Sequence, residues 1–274
     1  MADIDRFRYD GKRVLVVGGA TGMGAAAAQT VGSLGAEVIV MDYAPVEFSV
    51  AQTIKIDLRD RGAIDDALSE IDGDVHAVFS AAGVADGTPG IMKINFIAHR
   101  HIVESLLGSG RLRGAVCFIS SVAGLGWESN MEQVKEFLAT PDYESAVAWV
   151  ESHEGTDSYT FSKQAMNCYV AIQGFPFLKQ GVRINAICPG PTDTPLARAN
   201  ADLWLSFAQD YRDETGTPHL VPQQMGDTMV FLNSDAASGI SGVNVLVDTG
   251  HVMSSLTGSF APGEMMVKFL LGKL

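Results

Sequence analysis

Tyr159 stands four residues before Lys163, in the run Tyr159-Thr160-Phe161-Ser162-Lys163. Residues 158–170 read as helix, and positions i and i+4 of a helix share one face. A phenol is thereby placed beside an ammonium. Nearby positive charge favours phenolate, so such a tyrosine can take up and return a proton. A free phenol titrates near ~10, and bringing it to about 7 requires roughly 4 kcal/mol of preference for the phenolate. Proton transfer of this kind becomes redox chemistry only beside a hydride carrier and a group that polarises a carbonyl. The spacing alone does not supply them, since Tyr-x-x-x-Lys also arises by chance.

A site for the hydride carrier is written near the start of the chain. The turn Gly18-Gly19-Ala20-Thr21-Gly22-Met23-Gly24 follows an apolar run at 12–17 and opens an alanine-rich helical stretch closed by Gly35. Gly18, Gly22 and Gly24 let the backbone bend sharply and approach a pyrophosphate, with Thr21 and Met23 between them. The helix start adds free N–H groups and a positive dipole end. Asp42 closes the next strand, 37–41. A carboxylate there accepts the hydroxyls of the adenosine ribose and repels a 2′-phosphate, which selects NAD over NADP. No basic side chain follows it, only Tyr43-Ala44-Pro45. Asp57 and Leu58, after the third strand, are placed to touch adenine.

These groups need elements to hold them. Strands read at 12–17, 37–41, 53–56, 75–79, 115–119, 182–187 and 243–247. Helices read at 61–71, at 89–107 with Ile91, Ile94, Ile97, Ile102 and Leu106 on one stripe, and at 159–179. Short, wholly apolar strands alternating with helices predict an α/β fold, a doubly wound parallel seven-stranded sheet of the Rossmann kind. No linker or repeat interrupts 1–274, so one domain is expected. Only 127–154 breaks the rhythm. There Ser129-x-x-Glu132 reads as a capping box and Thr140-Pro141 as a second helix start. A two-helix insertion is expected, either a scaffold elaboration or a shaper of the substrate mouth or the oligomer contact. Residues 196–211 read as a lid helix carrying Leu203, Trp204, Phe207 and Tyr211, apolar groups that suit a hydrophobic substrate or simply pack. The tail, 251–274, ends in an apolar run too short to span a bilayer. It is expected to bury itself against a partner subunit or, second, to cover the active site.

Composition narrows the classes. The chain has 274 residues, 47% of them hydrophobic, and a formal net charge of −13. Short basic clusters at Arg6-Phe7-Arg8 and Arg111-Leu112-Arg113 do not offset that charge, so nucleic acid is not an expected partner. Three cysteines without a Cys-x-x-Cys spacing, and scattered histidines, indicate neither a disulfide framework nor a metal site. Cys117 and Cys188 fall in apolar strand-like runs, as buried thiols do. The first residues lack the apolar run of a secretory signal and no run is long enough for a membrane helix. A cytoplasmic location is the expectation.

Several further motifs, in order, complete a resemblance to the short-chain dehydrogenase/reductase family over roughly 12–250. They are the Gly18/Gly22/Gly24 turn, Ala81-Ala82-Gly83 after the fourth strand, Asn95, Ser120-Ser121 after the fifth, Tyr159-x-x-x-Lys163, and Pro189-Gly190 followed by Thr192 and Thr194. The glycine spacing is that of the compact members. The resemblance implies hydride transfer between NAD and a secondary alcohol or ketone. Tyr159 would be the acid/base and Lys163 would also hold the nicotinamide ribose. Ser121 would donate to the substrate oxygen, and Asn95 would hold a water linking Lys163 to solvent. Ala81, Ala82, Gly83, Pro189, Gly190, Thr192 and Thr194 would line the cofactor. The family is usually dimeric or tetrameric. The chain departs from the pattern at Val17, where threonine is common, and at Ser80, where asparagine is usual. The longer stretch from Ser121 to Tyr159 resembles the bacterial 3α-hydroxysteroid dehydrogenase/carbonyl reductase type, which has a helical subdomain at that place. Two other readings are a reductase of an enoyl thioester and a non-catalytic dinucleotide sensor. Members of the first kind lengthen the Tyr–Lys spacing, and the second kind loses one of the pair.

Overall fold

A computed structural model describes residues 4–273. Met1, Ala2 and Asp3, part of the stretch read as lacking a signal, and Leu274, the end of the tail, lie outside the described residues. The first half runs β1 (Arg13–Val17), α1 (Gly22–Ser33), β2 (Glu37–Asp42), β3 (Gln52–Lys55), α2 (Arg61–Ser69), β4 (Val75–Ser80), α3 (Ala98–Gly108) and β5 (Leu112–Ile119). There follow α4 (Met131–Leu138), α5 (Tyr143–Ser152), α6 (Tyr159–Leu178) and β6 (Arg183–Pro189). The chain ends with α7 (Pro195–Arg198), α8 (Ala201–Trp204), α9 (Gln209–Thr215), α10 (Pro222–Asn233), β7 (Asn244–Val247), α11 (His251–Leu256) and α12 (Glu264–Leu270).

The seven strands form one parallel sheet in the order β3-β2-β1-β4-β5-β6-β7. The five inner strands are buried on both faces, because apolar cores lie on either side, while the edge strands β3 and β7 are partly open. One core packs α2, α3 and α6 against the sheet through Phe96, Phe118 and Tyr169, and the other packs α1 and α10 through Val31, Phe79 and Met229. The order reverses between β1 and β4, and such a switch point opens a crevice at the strand C-termini. Register makes that crevice sharp. Val17 lies opposite both Met41 and Ser80, so the loops after β1, β2 and β4 emerge level with one another. On the far side Ile119 lies opposite Ile187, which aligns the Ser120-Ser121 turn with the end of β6.

The expected helix at 89–107 is not uniform. Residues 93–97 form a π-helical turn before α3, and Asn95 sits at its centre. The insertion exists as two helices, but with other caps than expected. Ser129 Oγ donates to Gly126 O at 2.7 Å and takes no part in a capping box; Asn130 precedes α4. The second helix starts after Asp142, whose carboxylate accepts from Ser145 N at 2.8 Å, while Thr140 Oγ1 turns back to Phe137 O. Asp142 wins because a charged oxygen is the stronger acceptor for free helix-start N–H groups. The insertion packs through Phe137, wholly buried among Phe96, Trp149 and Phe161. It also reaches the loop after β3, where Tyr143 donates its hydroxyl to Leu58 O and Arg59 O, each at 3.1 Å.

The lid expected as one helix over 196–211 is divided into α7, α8 and α9. Ala208 adopts φ 58, a left-handed conformation that ends any helix, and the Arg212 guanidinium donates to Phe207 O and Leu205 O across the break. The tail packs on its own chain. Val267 of α12 is fully buried against Val122 and Val252, over the 3-10 turn 122–128 that follows Ser121. Met265, Met266 and Phe269 on the opposite side are exposed. All three cysteines are free and buried.

Candidate active site

The cofactor cleft follows from backbone shape. Gly18, at φ 83, rests directly on the Ala82 backbone, and a Cβ there would overlap it. Gly24 is pressed against Gly18 O in the same way. These contacts bring the turns after β1 and β4 together and leave the start of α1 open. Thr21, its N-cap residue, makes no side-chain cap, so the first N–H groups of α1, beside the cleft, have no partner from that residue. That is the arrangement a pyrophosphate fits. At the other end, Asp42 Oδ2 accepts from Ala20 N and Oδ1 from Ala44 N, both at 2.8 Å. The carboxylate is oriented by the turn itself and keeps lone pairs for ribose hydroxyls.

Gly18, Thr21, Gly22, Met23, Gly24, Asp42, Asp57, Leu58, Ala81, Ala82, Gly83 and Thr194 all line this cleft. Asp57 is held below the usual carboxylate range by the Arg59 guanidinium, which hydrogen-bonds it. Thr194 caps α7, accepting from Ala197 N at 3.0 Å, with its methyl beside Gly22. Thr192 takes another part. It is 6% exposed, and its Oγ1 donates to Gly190 O, so its hydroxyl serves the loop. Pro189 and Gly190 lie behind it at the end of β6, and Gly190 packs against Asp248. Met41, Tyr43, Ile56, Arg59, Val84 and Ile94 also line the cleft and were not foreseen. Their alternation with named residues on the same loops was the available signal.

Beyond the cleft stand the groups for proton transfer. Ser158 caps α6, accepting from Phe161 N at 3.3 Å, and so sets Tyr159 and Lys163 one turn apart on the inward face. Lys163 is 3% exposed; its Nζ donates to Ile119 O at 2.8 Å and lies 5.4 Å from the centre of the Tyr159 ring. Ser121, at the turn after β5, stands beside the phenol and opposes the upward shift of its pKa, and its Oγ accepts from Ala123 N at 3.1 Å. Asn95 is wholly buried. Its Oδ1 accepts from Val84 N at 2.8 Å and its Nδ2 donates to Val84 O at 3.0 Å. Its side chain therefore ties the cleft loop to the π turn. Gly83 separates Asn95 Oδ1 from Lys163 Nζ, and a Cβ there would touch both.

The electrostatics differ from the expectation of a phenol near neutrality. Burial pushes the Tyr159 phenol up to about 12, opposed by the Ser121 hydroxyl and reinforced by the charge of Asp86 and by Cys188. Burial also draws the Lys163 ammonium down to about 8. Desolvation is the largest effect on both groups and disfavours both charged forms. A nicotinamide dinucleotide held in the cleft would supply the hydride chemistry, and its oxidised ring would add a positive charge that favours phenolate. The chain itself contributes a half-buried, oriented phenol, a neighbouring amine that can share its proton, and a serine donor for a carbonyl oxygen.

Two other neighbours were not read as site residues. His99, 1% exposed, has Nδ1 2.6 Å from Ser80 Oγ and Nε2 3.0 Å from Ala82 O, so the Ser80 departure is answered by a histidine one turn beyond Asn95. Asp86 takes the Tyr159 N–H at 2.6 Å. Trp204 of the divided lid lies over Tyr159, ring centres 5.0 Å apart and tilted by 42°. Among the described residues no group of acidic, cysteine or histidine side chains forms a metal site, and no helix is long and apolar enough to cross a membrane.

With this fold and this constellation the chain belongs to the short-chain dehydrogenase/reductase family of oxidoreductases, which bind nicotinamide dinucleotides. The family model that matches it spans residues 18–252 and is described as enoyl-(acyl carrier protein) reductase. The chain is 25% identical over 255 residues to a coniferyl-alcohol dehydrogenase of a Pseudomonas species, covering 87% of this chain and 96% of that one. It is 26% identical over 253 residues to the 3-alpha-hydroxysteroid dehydrogenase/carbonyl reductase of Comamonas testosteroni, covering 86% and 95%. The crystal structure of the 3-alpha-hydroxysteroid dehydrogenase from Pseudomonas sp. B-0831 complexed with NADH superposes with a TM-score of 0.72 at 21% identity, over 91% of this chain and 99% of that one.

Proposed function

We propose that the protein is an NAD(H)-dependent dehydrogenase that interconverts a secondary alcohol and a ketone, acting on a hydrophobic alicyclic or steroid-like substrate. The observation that carries this reading is the convergence of Tyr159, Lys163 and Ser121 beside a dinucleotide-shaped cleft. In oxidation the alcohol would give its hydride to nicotinamide and its proton to Tyr159 in the phenolate form, with Ser121 donating to the oxygen. Lys163 would share the proton load. In reduction the same groups would run in reverse. Preference for NAD is supported by Asp42, whose two oxygens are already oriented towards the ribose end. A hydrophobic substrate is supported by Trp204 over Tyr159 and by the similarity to dehydrogenases named for aromatic and steroid alcohols.

The test is NADH oxidation against aliphatic, alicyclic and steroid ketones, with Tyr159→Phe as control. Turnover of bulky ketones should fall about 10²- to 10⁴-fold in the variant, the range for loss of a general acid. If wild type and variant are equally inactive on every ketone while NADH still binds, a dinucleotide sensor is the better reading. An enoyl thioester belongs in the panel because of the description attached to the matching family model; turnover of that compound alone would replace the ketone reading. For assembly, the insertion covers Phe96 and Phe161 on the outer side of the π turn and α6. That supports a homodimer or homotetramer with an altered contact, which a mass measurement in solution would decide.

A further inference from the structure

The loop between β4 and the π turn is tied to the proton-transfer pair from both ends. At one end Val84 exchanges two hydrogen bonds with the Asn95 side chain. Two residues further on, Asp86 Oδ1 accepts from Tyr159 N at 2.6 Å, across 73 residues of sequence. The first N–H groups of a helix have no partner within the helix. Ser158 spends its hydroxyl on Phe161 N, so the Tyr159 N–H is met by Asp86. A carboxylate also suits the positive end of a long helix. Gly87, at φ 82, turns the chain immediately afterwards and brings the carboxylate to the helix start.

The groups facing Tyr159 come from several elements. Lys163 lies one turn along α6, and its cation favours phenolate. Ser121 approaches from the turn after β5 and is uncharged. Cys188, at the end of β6, is pushed up to about 11 by burial and stays a neutral thiol at pH 7. Trp204 covers the ring without charge. Asp157, just before α6, is exposed and its Oδ1 accepts from Met92 N at 3.3 Å. Asp86 is therefore the negative charge attached to the tyrosine's own residue, and its sign opposes phenolate.

We propose that Asp86 is a positioning residue for the acid/base: it moors the first turn of α6 to the cleft loop and, as a fixed negative charge, keeps Tyr159 in its proton-donating form to a higher pH. This rests on the reading of Tyr159 as acid/base. The two effects come from the same carboxylate but separate by substitution. Asp86→Asn leaves an oxygen for the Tyr159 N–H and removes the charge. Asp86→Ala removes both.

The experiment measures the pH profile of kcat/KM for alcohol oxidation with NAD, and amide hydrogen exchange at the start of α6. Asp86→Asn should move the acid limb of the profile down by about half a unit, the size of one partly screened charge at this range, with kcat changed less than about threefold. Asp86→Ala should show the same shift, a kcat loss of about tenfold, and faster exchange over the first turn of α6, with NADH affinity unchanged. Asp157→Asn, which removes a second exposed charge near the same helix start that bonds Met92 N and not Tyr159, should leave the profile where it is. A profile in Asp86→Asn that overlays the wild type, an equal shift in Asp157→Asn, or unchanged exchange in Asp86→Ala would each overturn the proposal. Exchange needs no turnover. If no alcohol or ketone reacts with the wild type, it is the reading of Tyr159 that fails, and exchange still judges the mooring.

Discussion

Acid should weaken this fold through His99. The imidazole is 1% exposed and both its nitrogens are engaged, Nδ1 with Ser80 Oγ at 2.6 Å and Nε2 with Ala82 O at 3.0 Å. A carbonyl can only accept, so Nε2 carries the proton and Nδ1 accepts from the Ser80 hydroxyl. That is a fully satisfied neutral ring. Burial, with Lys163 adding to it, holds its pKa down at about 4, from 6.5 for a free histidine. Between those values the unfolded chain binds a proton that the native protein refuses. Stability is thus fully present above about pH 6.5 and is lost as pH falls towards 4. The shift corresponds to about 3 kcal/mol at its limit, of which about 2 kcal/mol is lost by pH ~5. Other groups titrate too, so the measurement is a comparison. Urea unfolding of wild type and His99→Gln would be followed from pH 7 to 5. Glutamine can still donate to Ala82 O but does not titrate. The variant should be the less stable at pH 7, and the gap should narrow by about 2 kcal/mol at pH 5. Parallel stability curves would refute the reasoning.

Asp42→Ala should abolish discrimination between the cofactors, from at least about tenfold in favour of NAD to near parity; direct titration of both reduced dinucleotides reads this. It should also lower the melting temperature, because Ala20 N and Ala44 N lose their acceptor. Lys163→Met should raise thermal stability at pH 7 while eliminating turnover. The folded pKa of Lys163, about 8, lies below its ordinary 10.5, so the buried ammonium opposes folding below pH 8 and ceases to do so as pH rises towards 10.5. A melting temperature that falls at pH 7 would show that the Ile119 hydrogen bond outweighs desolvation. Phe137→Ala should cost about 3–5 kcal/mol, as for other buried aromatics. It should also loosen the insertion, which limited proteolysis within 127–154 would detect.

Much of the site was legible because its signals are local. A glycine turn between a strand and a helix, an acidic strand end, and a Tyr–Lys pair one helical turn apart each lie within a few residues. Each depends on backbone periodicity that the sequence displays. The strands were legible for the same reason, since burial on both faces leaves continuous apolar runs such as Val14–Val17 and Val38–Met41. The insertion's helices were seen, but their caps were misplaced. Which of several nearby oxygens reaches a helix start depends on loop geometry, and Asp142 was one residue beyond the expected pair. The lid was read as continuous because its apolar residues keep helical spacing across Ala208, where the chain turns left-handed.

The sequence by itself determined the class of fold, the glycine turn and the placing of Tyr159 and Lys163 one helical turn apart, because these follow from spacing along one element. Tertiary structure decided what lies around that pair. Asp86 meets Tyr159 only because the loop after β4 and the start of α6 come together, and His99 answers Ser80 only because α3 packs under the end of β4. Tertiary structure also decided the protonation balance. Desolvation of Tyr159 and Lys163 is a property of everything packed against them, and no local pattern encodes it.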